Sequence, residues 1–404
     1  MADFSFIGTT EYKEFIREYQ NHDTLKLRLK EFRNLPFDKE FAIRQIECLK
    51  KAKDKIPELS ELWIYPTSLS IEQCTPEIVA RFNASLFKGC ENVVDFTCGL
   101  GIDSYYISKE ARHLTTIDIN PDVADAAIFN FKNAQADNIT VMNTDSEIYA
   151  SNMDWTFSAA FIDQSRRGEG NARIYDINEC VPSITKIINA ISDKTNFLIA
   201  KTSPMIDITA TIRQFNCITD VWVISLKNEC KELLFKFDFK SIDKERLIRT
   251  INFEQDSIQD FSLRYGNENL IVENRTPQQD DIIALPNSSI MKAGGFNQLC
   301  KAYSLTQISS NSHIFICNRQ TQTKDFPGKT YKIIQIFTLS KADIKKLNKT
   351  IDRANISCRN FPLSPDELYK RLKIKTGGSA YIFATTTDRG EKILLLCKKT
   401  GTNA

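Results

Sequence analysis

The stretch Val93-Val94-Asp95-Phe96-Thr97-Cys98-Gly99-Leu100-Gly101-Ile102-Asp103 constrains this chain more than any other. Two β-branched residues run into an acid, glycines follow at alternate positions, and Ser104 to Lys109 continue as an amphipathic run. That order reads as a buried strand, a tight turn and the start of a helix. Gly99 and Gly101 let backbone N–H groups approach a ligand closely and leave the helix N-terminus open to it. A glycine pair also serves plain helix–strand packing, so the next elements decide. Leu114-Thr115-Thr116-Ile117-Asp118 is a second strand ending in an acid about 20 residues after the loop, where a carboxylate accepts both hydroxyls of a ribose.

A nicotinamide dinucleotide fingerprint needs a third, helix-packing glycine, and Ser104 stands there. The pattern Asp-x-Thr-Cys-Gly-x-Gly instead resembles motif I of class I S-adenosylmethionine (SAM) methyltransferases, in the form common among members that methylate nucleic acids. The resemblance implies that Asp95 and the loop hold the methionine end and that Asp118 holds the ribose. It also implies a Rossmann-like, seven-stranded sheet ending in an antiparallel pair.

From about residue 88 to 240 strands and helices alternate, which predicts a parallel sheet covered on both faces. Helix 122–134 follows Asp118, and Ile139-Thr140-Val141-Met142 is the third strand. Asp145 after it either caps the next helix or, as the resemblance implies, receives the adenine amine. The fourth strand, Ala159 to Ile162, ends in Asp163-Gln164-Ser165-Arg166-Arg167. Base methyltransferases carry an Asp-Pro-Pro turn here. This chain keeps the acid and lacks the prolines, so the turn that presents backbone carbonyls to a flipped base is in question. Asp163 sits at a strand's carboxyl end, placed to take a proton or hydrogen bond from a nucleophile. Arg166 and Arg167 suit a substrate phosphate, because guanidinium forks grip oxyanions; a loop with two solvated arginines is the plainer reading. Lys201 closes the fifth strand and faces either substrate phosphate or Asp163. Strands 220–225 and 232–237 form a closing hairpin.

Residues 10–88 read as helical, with Tyr12, Phe15, Ile16 and Tyr19, then Phe41, Ile43, Ile46 and Leu49, at helical spacing. Pro66 interrupts, and Ser70 or Thr75 can cap the helices that follow. In the family resembled, a polar segment before motif I folds over the methionine end, which makes Tyr65, Thr67 and Gln73 candidate contacts; a hinge with ordinary caps is the alternative. Residues 240–280 are polar and read as a connecting hairpin or cover. Beyond Ile290 a helix-like Met291–Leu299 precedes a β-α-β-α-β-β series. With Lys292-Ala293-Gly294, Phe326-Pro327-Gly328, Asn360-Phe361-Pro362-Leu363-Ser364 and Lys375-Thr376-Gly377-Gly378, this part resembles the ferredoxin-like and THUMP-like modules appended to a group of bacterial class I methyltransferases. THUMP-bearing enzymes use that module to grip structured RNA. Lys341, Lys345, Lys346, Lys349, Arg353 and Arg359 form a candidate phosphate patch, against the alternative of a solvated face.

The expected division is a helical region (1–87), a methyltransferase domain (88–240), a connecting segment (241–285), a ferredoxin-like module (286–328) and a THUMP-like domain (329–404). With 53 Lys and Arg against 51 acids, any nucleic-acid surface must be local. Eleven scattered cysteines without a Cys-x-x-Cys pair and three distant histidines suggest no metal, and read as reduced thiols in a cytoplasm. No leader or membrane span is expected. The reading is a SAM-dependent methyltransferase acting on structured RNA, tRNA or rRNA. A protein or metabolite methyltransferase, or a catalytically silent SAM-binding RNA chaperone, are the alternatives. The cofactor set is Asp95, Thr97, Cys98, Gly99, Gly101, Asp118, Ile119, Asp145, Ser146 and Asp163. Asp163 and Arg166 are the candidate catalytic pair, and Tyr65, Thr67, Gln73, Arg166, Arg167 and Lys201 are candidate substrate contacts.

Overall fold

The computed structural model describes residues 4–32, 34–166, 176–241, 245–266, 271–318 and 325–400, with Ser165 and Arg166 described for the backbone only. The chain forms two compact units, one of residues 1–219 and 233–244, the other of 220–232 and 245–404.

The first unit begins with α1 (Thr10–Tyr19), α2 (Thr24–Leu29) and α3 (Lys39–Lys55). Thr9, Asp23 and Asp38 cap them, each side chain accepting an N–H of the first turn. Tyr12, Phe15 and Tyr19 of α1 meet Phe41, Ile43 and Ile46 of α3 in one cluster that Ala126 also joins. Fully burying each large side chain there contributes about 1.5–3 kcal/mol. Two buried amides then carry the chain across to the site. Gln45 exchanges hydrogen bonds with the backbone of Tyr65 (2.9 and 2.8 Å), and Asn130 does the same for Ile64 (3.0 and 2.8 Å). They satisfy an otherwise orphaned extended segment. They also aim α4 (Ser68–Gln73), which α5 (Glu77–Ser85) follows. Thr67 caps α4; Ser70 lies inside it, and α5 has Pro76 at its N-cap position with no side-chain cap. The caps expected at Ser70 and Thr75 are thus corrected, and Thr75 turns to the site instead.

Strands and helices then alternate: β1 (Asn92–Asp95), α6 (Ile102–Glu110), β2 (His113–Asp118), α7 (Pro121–Asn133), β3 (Ile139–Asn143), α8 (Ser146–Asn152) and β4 (Ala159–Asp163). The two-residue strands β5 (Ser165–Arg166) and β6 (Cys180–Val181) pair with each other. After them come α9 (Ile184–Ile191), β7 (Phe197–Thr202), α10 (Ile208–Gln214), β8 (Ile218–Leu226) and β9 (Glu229–Asp238). Within this unit the strands run β9-β7-β4-β1-β2-β3. Neighbours from β7 to β3 are parallel, and β9 is antiparallel to β7. The order reverses beside β1, so loops leaving β1 and β4 diverge and open a crevice at the strands' carboxyl ends.

In the second unit β10 (Leu247–Phe253) and β11 (Ile258–Arg264) form an antiparallel hairpin, and β10 runs parallel to Asp220–Leu226 of β8. The stretch expected as one helix from Met291 is two, α11 (Ser288–Ala293) and α12 (Phe296–Tyr303), after β12 (Ile282–Pro286). Gly294 and Gly295 divide them with φ of +79° and +66°, a region glycine enters without cost. Then come β13 (Leu305–Gln307), β14 (Phe315–Cys317), β15 (Gly328–Thr338), α13 (Lys341–Thr350), β16 (Arg353–Arg359), α14 (Pro365–Leu372), β17 (Lys375–Thr386) and β18 (Lys392–Lys399). Their sheet has the order β13-β14-β12-β15-β18-β17-β16. Leu347 of α13 and Leu368 and Leu372 of α14 cluster with Ile382, Leu394 and Leu396 of the sheet. Among the described residues no helix is long and apolar enough to cross a membrane.

Candidate active site

A cavity of about 580 Å³ opens at the carboxyl ends of β1, β2 and β4, within the size range of small-molecule and cofactor sites. Its floor is the glycine loop, which the backbone wires to the strands on either side. Phe96 N–H donates to Phe161 C=O (2.9 Å), Cys98 N–H to Ile117 C=O (2.7 Å) and Gly101 N–H to Cys98 C=O (2.9 Å). Gly101 opens α6 at φ +84°, and a Cβ there would stand 2.7 Å from the Phe131 ring. Both the turn and the close approach of α7 therefore require glycine.

Asp118 sits over the loop. Its carboxylate accepts Gly99 N–H and Asn120 N–H, each at 2.9 Å. These bonds orient it, while burial still holds its carboxyl above the ordinary range. Asp145 caps α8 through Oδ1, accepting Glu147 N–H (2.8 Å) and Ile148 N–H (3.0 Å). Its side chain also lines the cavity, so capping and ligand contact are compatible. Ser146 donates to Phe96 C=O.

Asp163 is fixed from two sides. Its N–H donates to Thr97 Oγ1 (2.6 Å), and its Oδ2 pairs with Lys201 Nζ at 2.7 Å. Lys201 continues to Asp103 Oδ2 (2.8 Å) and to Thr75 Oγ1, which donates to Asp103 in turn; Asn83 Nδ2 reaches the other Asp103 oxygen at 3.0 Å. The Lys201 side chain is 7% exposed, Asp103 11% and Asp163 39%. One ammonium thus serves two carboxylates. Burial raises the Asp163 carboxyl, with Lys201 opposing.

Thr67, Gln73, Thr97, Cys98, Gly99, Gly101, Asp118, Ile119, Asp145, Ser146 and Asp163 all line this one cavity. Among candidates whose side chains are described, three do not. Tyr65 is 1% exposed and its hydroxyl donates to Ser60 C=O at 2.8 Å, so the expectation of a ligand contact is corrected to a core role. Asp95 is fully buried, accepting Thr97 N–H (2.9 Å) and the hydroxyls of Ser104 and Thr116. It braces the loop from behind rather than meeting a ligand, and burial pushes its carboxyl up to about 6. Lys201, expected to face either substrate phosphate or Asp163, pairs with Asp163 and also with Asp103. Arg166 pairs through its backbone with Cys180 in the β5–β6 ribbon, and Arg167 lies outside the described residues.

Sequence reasoning missed Asp103, Thr75, Glu147 and Lys186, all of which face the cavity. An acid in a first helical turn is an ordinary dipole partner, so Asp103 carried no distinguishing signal. Its importance comes from Lys201, 98 residues away. With Asp118, Asp145 and Asp163, five carboxylates line the cavity against one cation, Lys186, which is paired with Glu147 at 2.7 Å. Such a lining favours a cationic ligand and disfavours a pyrophosphate. The donor set therefore fits SAM, whose sulfonium and ammonium are cationic and whose ribose and adenine seek acceptors. Among the described residues no group of three metal-ligating side chains occurs.

Comparison with known proteins agrees with this geometry. Residues 283–327 match a ferredoxin-like domain family and residues 328–399 a THUMP domain-like family. No curated protein matches the sequence. A solved structure of a candidate methyltransferase from Porphyromonas gingivalis W83 superposes with TM-score 0.86 at 26% identity, over 99% of this chain and 100% of that one. An rRNA methylase from Streptococcus thermophilus is similar over 41% of this chain and 97% of its own, at 12% identity and TM-score 0.31. A candidate methyltransferase from Streptococcus mutans in complex with SAH is similar over 40% and 96%, at 12% identity and TM-score 0.30. The chain is thus a class I methyltransferase-fold protein carrying C-terminal ferredoxin-like and THUMP-like modules.

Proposed function

We propose that this protein is a SAM-dependent methyltransferase acting on structured RNA, tRNA or rRNA, in the cytoplasm. The acid-lined cavity over the Gly99–Gly101 loop carries the cofactor half of this reading, because its charge suits a sulfonium and repels a phosphate chain. The THUMP-like module supports the RNA half, and eleven cysteines outside any disulfide suit a reducing compartment. Bound SAM supplies an electrophilic methyl on a positively charged sulfur.

The chain's own residues do the rest. Asp118 receives the ribose hydroxyls, Asp145 the adenine amine, and the glycine loop admits backbone to the methionine end. Thr67 and Gln73 cover that end from α4. Asp163, held by Lys201 and Thr97, orients the attacking atom and takes its proton, while Arg166 holds a substrate phosphate. Most of the acceleration then comes from holding nucleophile and methyl in line.

Labelled methyl transfer from SAM to total RNA of a strain lacking the gene tests this directly. Label is expected in that RNA, little in wild-type RNA, and with Asp163→Ala a rate loss of about 10²–10⁴-fold with cofactor affinity kept. Bound SAM with no labelled RNA would overturn the RNA assignment. A second reading, a silent SAM binder, draws on Gln164 and Ser165 in place of prolines and on the Asp163 oxygen already given to Lys201; bound SAM without transfer to any macromolecule would favour it.

A further inference from the structure

We propose that a cavity over the sheet of the second unit is a binding site for a free mononucleotide, one base carrying one phosphate. Its lining residues all belong to that unit, and none serves the methyl-transfer reading.

The alternation of β17 builds the cavity floor. Ile382 and Ala384 pack with Leu347, Leu368 and Leu372 of α13 and α14, which turns Tyr381 and Phe383 to the other face of the sheet. Tyr331 of β15 joins them there, its ring centroid 4.9 Å from Tyr381 and 4.8 Å from Phe383. The Tyr381 and Phe383 rings are nearly parallel, at 5°. On neighbouring β16, Asn355 and Ser357 stand in register with Tyr381 and Phe383, and Arg359 follows two residues on. Arg359, expected beside the α13 lysines, thus lines this cavity instead. The β10–β11 hairpin supplies Glu254 and Gln259 from above.

Some of these groups are already used within the fold. Gln259 Oε1 accepts from the Nδ2 of Asn252 and of Asn287, each at 3.2 Å, and Asn355 Nδ2 donates to Gly378 C=O at 2.9 Å. Others are open. Among the described residues Arg359 and Lys329 make no hydrogen bond or ion pair, and neither do the hydroxyls of Tyr331, Tyr381 and Ser357. Arg359 is half-buried, and burial pulls its guanidinium below the ordinary range. A partly desolvated cation without a carboxylate is unfavourable until an anion arrives.

These open groups define the ligand. The Arg359 fork, with Lys329 beside the cavity, suits a phosphate. The ring row suits the face of a base. Glu254, the one carboxylate among the lining residues, and Asn355 Oδ1 are acceptors for a base amine. At about 250 Å³ the cavity is smaller than the roughly 300–1,000 Å³ of drug-sized ligand sites, which fits one nucleotide in place of a chain.

Calorimetry on the full chain tests this with the four nucleoside 5′-monophosphates, and with adenosine and inorganic phosphate as half-ligands. At least one monophosphate is expected to bind, more tightly than either half-ligand. Arg359→Gln should weaken it by about tenfold or more, the scale of hydrogen bonds to a charged group. Tyr381→Leu should weaken it by about fivefold or more. Asp118→Ala, in the other cavity, should leave it unchanged. Arg359→Gln breaks no internal pair, so its unfolding midpoint should match or exceed that of wild type, which separates lost binding from lost folding. No monophosphate with a Kd below about 1 mM would overturn the site. So would affinity indifferent to Arg359→Gln and Tyr381→Leu, or lost in Asp118→Ala. Displacement by an RNA oligomer at about a hundredth of the mononucleotide concentration would overturn the free ligand in favour of an RNA chain.

Discussion

Two regions of this chain carry opposite local charge under a net charge of only +2. The cavity of the first unit gathers five carboxylates, of which Glu147 pairs with Lys186 while Asp103 and Asp163 share the buried Lys201. The α13–α14 surface of the second unit gathers five cations, Lys341, Lys345, Lys349, Arg371 and Lys373, and no acid. A chain nearly neutral in sum therefore carries an acidic cavity and a basic surface. What differs between them is also burial. The cavity's charges are partly desolvated and cross-linked, whereas the lysines are exposed and screened by salt.

The strongest blow to the acidic side is Lys201→Met. Removing the shared ammonium leaves Asp103 and Asp163 facing each other, and an expected loss of about 3 kcal/mol in unfolding free energy follows. Denaturation midpoints with unchanged m-value would measure it; a stable, active variant would mean the carboxylates do not need the pair.

Asp95 sharpens the contrast through pH. Its folded value of about 6 lies above the ordinary 3.8, so the native state binds more protons between those values. Stability contributed by the neutral form is present below about pH 4 and lost as pH rises through 6, by roughly 3 kcal/mol. The stability gap between wild type and Asp95→Asn should widen against wild type over that window. A gap constant from pH 4 to 7 would contradict the buried, raised carboxyl.

Asp118→Ala is expected to weaken SAM by about 1.5–3 kcal/mol in calorimetry, the scale of hydrogen bonds to a charged group. Unchanged affinity would remove Asp118 from the cofactor site. The smallest effect is on salt. Between 50 and 200 mM, SAM affinity should shift by less than about twofold, because a small ligand of low net charge releases few counterions, while tRNA affinity falls steeply. Equal slopes for both ligands would erase the distinction between the two regions.

Short-range pattern decided much of this protein. The β1 loop glycines, the acid ending β2, the cap at Asp145 and the strand–helix alternation are written within windows of a few residues, because strand period, glycine conformation and capping are local physics. The sequence alone also placed Asp163 at a strand end and the lysines on α13. It did not show which way a strand-end acid turns. Asp95 and Asp163 both close parallel strands, yet Asp95 is sealed against Ser104 and Thr116 while Asp163 opens to the cavity. Nor did it join Thr75, Asp103 and Lys201, or bring Arg371 to Lys345. Those pairings were decided by tertiary structure, since helices packed on a sheet bring together side chains that are a hundred residues apart and leave neighbours in sequence facing opposite layers.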